Sequence, residues 1–174
     1  MHIHIQPVPI PPPPTHLPNI YDPRTLFHYT TGLNLRSIIN SGQIKPSTAH
    51  VPPDEKPVVW FSTSRQWEPT ATKCSVPGKA GQLITAQAQG SLVRIGVPAS
   101  TAPHHFEDLP LIAGTAPSVC IGLLIAGLEL GSDPDTWRFT LQPVPTVLFR
   151  EVEFFDFAND GWVAVDMAEL TCRN

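Results

Sequence analysis

The sequence predicts a single α+β domain, rich in short strands and carrying one or two helices. Three observations lead there. At 174 residues the chain is long enough for one core and short for two. Its 21 prolines stiffen loops and interrupt helices. Its apolar residues come in short runs such as VVWFSTS (58–64) and SLVRIGVP (91–98), bounded by Pro, Gly and hydroxyl residues.

Residues 1–20, MHIHIQPVPIPPPPTHLPNI, read as an extended proline-rich arm ahead of a domain spanning 21–174. His-Ile-His at 2–4 has chelating spacing, but alternation with Ile reads as an edge strand, and no metal is expected. TLFHY (25–29) reads as a strand. TTGLNLRSIINSG follows as a helix, with Thr30 or Thr31 as N-cap, Leu35, Ile38 and Ile39 on one face, and Gly42 as terminator. A polar, proline-rich loop leads to the VVWFSTS strand, after which RQWEPTATK offers a helix start disturbed by Pro69. SVCIGLLIAGLEL (118–130) is too short to cross a membrane and reads as a buried helix or strand. RFTLQPVP reads as an edge strand, and TVLFREVEFFDF and GWVAVDMAEL as two strands joined by a turn at ANDG.

Composition narrows the function. Net charge is −4 with no basic block, which argues against a non-specific grip on a nucleic-acid backbone. The three cysteines, Cys74, Cys120 and Cys172, are odd in number and lack CxxC spacing, so reduced thiols in a cytoplasmic protein are expected. No secretory leader is read at the N-terminus.

Chemistry-bearing residues gather at three strand ends. They are His28-Tyr29-Thr30, Trp60-Phe61-Ser62-Thr63-Ser64, and Glu151-Val152-Glu153. Alternation puts Glu151 and Glu153 on one face of their strand, where two carboxylates are costly unless solvated or paired. Each group alone has a plain structural role: a core histidine, a hydroxyl turn, a wet edge strand. Their order along the chain is what carries a functional reading.

In that order the sequence resembles the ADP-ribosyltransferase superfamily, in its diphtheria-toxin and poly(ADP-ribose) polymerase branch. LFHYT is similar to the first strand motif, VVWFSTS to the second, and REVEFFDF to the third; together they cover about twenty residues. VVWFSTS and Glu-x-Glu are similar to the arginine-type toxin branch as well. The resemblance implies a split, twisted β-sheet gripping NAD, and transfer of ADP-ribose to an acceptor with release of nicotinamide. It implies Glu153, favoured by the Glu-x-Glu pattern, or Glu151 as the catalytic carboxylate. His28 would anchor a ribose, and Tyr29, Thr30, Trp60, Phe61, Ser62, Ser64 and Trp67 would surround the dinucleotide. Tyr29 stands where the polymerase branch usually has glycine. The pyrophosphate would lie at the helix after Thr31, with Arg36 or Arg65 adding charge. An NAD glycohydrolase or an RNA 2′-phosphotransferase shares the scaffold, the latter disfavoured by the sparse basic residues. A non-catalytic ligand- or partner-binding module, with the proline arm as a docking element, is the alternative of another class. The acceptor, whether protein, nucleic acid or small molecule, is not legible in the sequence, and no membrane partner is implied.

Overall fold

The computed structural model describes residues 25–49 and 51–171. The proline-rich arm, the His-Ile-His strand expected within it, and Cys172 lie outside these residues.

Strand β1 (Thr25–Thr31) runs directly into helix α1 (Gly32–Ser41). The strand outlasts the expected TLFHY by two threonines, and Thr31 takes the N-cap position without a side-chain capping bond. Leu35 and Ile38 are the buried face of α1. Gly42 ends the helix at φ 71°, a left-handed conformation that glycine adopts without a Cβ penalty. Then come β2 (Gln43–Ile44) and β3 (Val59–Ser62), the latter shorter than the expected 58–64 because the Ser64 N–H turns back onto the Ser62 hydroxyl at 3.1 Å. The helix start at RQWEPTATK yields one 3₁₀ turn, Pro69–Ala71. Helix α2 (Gly78–Gln89) leads to β4 (Leu92–Pro98), β5 (His104–His105), α3 (Leu109–Ile112) and α4 (Pro117–Glu129). The chain continues through β6 (Trp137–Thr140), β7 (Val144–Pro145), β8 (Glu151–Asp156), β9 (Gly161–Ala164) and α5 (Met167–Thr171). The described residues thus hold five α-helices where one or two were expected.

Seven strands form one antiparallel sheet in the order β5-β6-β3-β1-β4-β8-β9, and β2 pairs with β7 separately. The strand at RFTLQPVP was expected at an edge; β6 instead lies inside, because the two-residue β5 covers its outer side. The turn between β8 and β9 falls at 157–160, as ANDG implies.

Pairing along the sheet is uneven. Strand β1 shares seven registered pairs with β4, from Thr25↔Pro98 to Thr31↔Leu92, but one with β3, Phe27↔Ser62. A seam therefore separates a three-stranded part (β5, β6, β3) from a four-stranded part (β1, β4, β8, β9).

Each face of the sheet carries its own core. Leu26, Val93, Ile95, Val97 and Val152 pack beneath α1 with Leu35 and Ile38. Phe27, Tyr29, Leu92 and Trp67 pack on the other face with Trp162. The apolar run 118–130 departs most from expectation. It forms α4, but the helix buries only Gly127 fully and leaves Ile121, Leu124, Ile125 and Leu128 open to solvent. Being apolar all round, it has no stripe that selects one face for burial. Where α4 meets the sheet, Gly127 lies against the Trp137 ring; an added Cβ would stand 2.4 Å from Cη2. No helix among the described residues is long and apolar enough to cross a membrane.

Candidate functional site

The seam opens into a cleft of about 760 Å³. Its walls come from β1 and β3, the Asn34, Ser37 and Ser41 side of α1 with Ile38, the segment from Gln43 to Ser47, the loop after β3, and Leu123, Ala126, Gly127 and Leu130 of α4. Of the expected site residues, His28, Tyr29, Thr30, Trp60, Phe61 and Ser62 all line it. The volume falls in the range of small-molecule sites, about 300–1,000 Å³.

His28 spans the seam. Its Nδ1 lies 2.9 Å from the Trp60 carbonyl oxygen. A carbonyl can only accept, so Nδ1 carries the hydrogen and donates it. Burial lowers the imidazole's affinity for a proton, and the positive field of Lys73 lowers it further, against the opposing pull of the Trp60 bond. The ring is therefore neutral at physiological pH, with Nε2 as a bare acceptor. Phe61 packs beside it, ring centroids 5.7 Å apart. Trp60 meets Phe106, Trp137 and Phe139, which fix one aromatic wall.

Tyr29, the residue that replaces glycine in the resemblance, lies on the opposite face of β1 from His28. Its hydroxyl donates to the Ser64 carbonyl at 2.6 Å, and burial pushes its ionisation far upward. Trp67 meets it edge-on at 5.6 Å. Ser64 and Trp67 brace Tyr29 and do not line the cleft. Ser62 does line it, and its hydroxyl donates to Thr136 Oγ1 at 3.0 Å.

The two glutamates lie away from the cleft. Across the sheet, Tyr29 pairs with Arg94 and Arg94 with Glu153, while His28 pairs with Ile95 and Ile95 with Val152. Paired residues of an antiparallel sheet share a face. Glu151 and Glu153 do point the same way, as alternation requires, but that face is the one opposite His28. Glu153 is buried in an ion pair with Arg94, whose guanidinium lies between the rings of Phe27 and Trp162, 5.0 and 4.6 Å from their centroids. Glu151 is half-buried, 3.7 Å from Arg65. Neither lines the cleft.

At the helix N-terminus offered for a pyrophosphate, the first N–H is already taken. The Gly32 N–H donates to the Ser91 carbonyl at 3.2 Å, and Gly90 closes on the same residue. Arg36 and Arg65 stand outside the cleft. Among the described residues the cations that line it are Lys45 and Lys73.

One residue that the sequence reading passed over stands in the cleft. Glu68, 8% exposed, is the only carboxylate among the described lining residues. The signal was present, since an acidic residue directly before Pro69 marks a helix start. Its Oε1 accepts from the Thr70 N–H at 3.5 Å, from the Thr70 hydroxyl at 3.0 Å, and from the Ser132 hydroxyl. Among the described residues no three His, Cys, Asp or Glu side chains gather to hold a metal. Comparison with protein-family models, with curated proteins and with solved structures finds no match.

Proposed function

We propose that the chain is an NAD-cleaving ADP-ribosyltransferase, binding NAD in the seam cleft and passing ADP-ribose to an acceptor as nicotinamide leaves. The observation that carries this reading is His28. Its Nδ1–H is committed to the Trp60 carbonyl, which leaves Nε2 as an acceptor on a cleft-lining residue, the group a ribose hydroxyl needs. In this reading the histidine serves as an anchor.

The surroundings support the same reading. An antiparallel sheet held at one boundary by a single registered pair is consistent with the split sheet of the superfamily. Trp60, partly exposed and held by its aromatic neighbours, gives a flat wall against which a nicotinamide ring can stack. Lys45 and Lys73 bring positive charge for a pyrophosphate, in place of the helix terminus. No arginine lines the cleft among the described residues, which speaks against an RNA 2′-phosphotransferase. A hydrolase using water as acceptor would need the same walls and the same anchor.

The absence of Glu151 and Glu153 from the cleft favours one second reading, a non-catalytic module that binds a nucleotide there. Titration of the purified chain with NAD, with nicotinamide release followed in parallel, separates the two. Release that disappears in His28→Ala supports the transferase or hydrolase. Binding without release, even with candidate acceptors supplied, supports the module. If NAD does not bind at all, the NAD reading fails, and the module reading fails with it unless ATP or another nucleotide binds in its place.

A further inference from the structure

We propose that Glu68 is the catalytic carboxylate of the cleft, facing the cationic half of the dinucleotide and stabilising the charge that grows on its ribose. The inference rests on the NAD reading above and goes beyond it in naming the residue and the charge it recognises.

Three observations carry it. Glu68 is the sole carboxylate among the described cleft residues, in the same cavity as His28. It is almost wholly buried, yet no Lys, Arg or His of the described residues pairs with it, and its donors are two neutral hydroxyls and one backbone N–H. Those donors all act on Oε1, and no described residue donates to Oε2. Capping the turn at Pro69 explains Oε1 alone. Oε2 is not sealed in the protein and opens to the cleft, where a cationic ligand can pair with it. The nicotinamide of NAD is such a cation, and so is the oxocarbenium-like ribose that forms as the ring departs.

The Ser132 and Thr70 bonds fix the carboxylate before substrate arrives, which is the condition for electrostatic stabilisation without reorganisation. In the step itself the bond between ribose C1′ and the nicotinamide nitrogen breaks, and its electron pair leaves with the ring, which becomes neutral. A lone pair of the acceptor closes on C1′. The proton the acceptor sheds passes to the Glu68 carboxylate and then to water.

The test is a titration of the full chain with NAD and with NADH, whose ring is uncharged, alongside nicotinamide release from NAD. Wild type is compared with Glu68→Gln, which keeps an oxygen for Thr70 and Ser132, and with Glu68→Asp, which keeps the charge. Wild type should bind NAD about tenfold more tightly than NADH, the weight of one charge-assisted contact. Glu68→Gln should erase that preference and lower kcat about a hundredfold with a smaller change in KM. Glu68→Asp should retain a preference for NAD. Equal cleavage by wild type and Glu68→Gln would remove Glu68 from the chemistry while leaving the NAD reading intact. Should Glu68→Gln fail to fold, equal affinity of wild type for NAD and NADH would overturn the assignment just as well. If wild type binds neither nucleotide, the NAD reading and this assignment fall together.

Discussion

The imidazole of His28 on β1 donates to the main-chain carbonyl of Trp60 on β3 at 2.9 Å, across the one boundary of the sheet that has a single registered pair. A side chain thus ties two strands where the backbone ladder does little. The same bond that joins them fixes which nitrogen is left for a ligand. Removing the ring with His28→Ala leaves the Trp60 carbonyl without this donor. The cost should be about 1–3 kcal/mol, read from urea denaturation, with NAD affinity reduced more than about tenfold. A variant with wild-type stability and wild-type affinity would show that the bond neither ties the strands nor serves the cleft.

The same histidine sets a pH dependence. Its pKa is lowered in the folded chain, with burial the largest cause, so below about pH 6.5 the unfolded chain binds a proton that the folded chain resists. Stability from this group is complete above the unfolded pKa and is lost as pH falls through the folded one. Acidification from pH 7 should destabilise wild type more than His28→Gln, which cannot take up the proton. Parallel curves for the two proteins would refute the linkage.

The glutamates of β8 should separate by stability and not by catalysis. Glu153→Gln leaves the buried Arg94 guanidinium without its charge partner and should cost about 3–5 kcal/mol. Glu151→Gln touches a partly exposed pair at 3.7 Å and should cost less than about 1 kcal/mol. Chemical denaturation of both variants checks the contrast. Nicotinamide release per folded molecule should stay near wild type in each, and a large loss in either would restore β8 to the active site.

Gly127→Ala tests the seat of α4. The new methyl would stand 2.4 Å from Trp137 Cη2 and 2.7 Å from Cζ2, so ring or helix must shift. A loss of about 1–3 kcal/mol is expected, with a changed near-ultraviolet signal from the tryptophan. An unchanged melting temperature and spectrum would show that the contact yields freely.

Much of the cleft was legible in the chain because its residues come from local signals. His28 and Thr30 alternate along a strand that ends in a helix cap, and Trp60 to Ser62 end another. The glutamates show where such reading stops. Alternation within β8 correctly puts Glu151 and Glu153 together. Which face they take depends on the register of β8 on β4 and of β4 on β1, and a slip of one residue in either would reverse it. Glu68 escaped because it also caps a turn, so its local role concealed the cavity above it. Helix α2 escaped because glycines at 78 and 81 dilute its apolar pattern. In α4 the pattern was too uniform to say which side would be covered.

The uneven pairing of the sheet has a mechanical side. Tension applied across the strands is shared by seven rungs between β1 and β4, but between β1 and the β3 segment it falls on one rung and two side chains, the His28 imidazole and the Tyr29 hydroxyl. The seam is riveted more than laddered, and the line of weakest pairing is also the line on which the cleft opens.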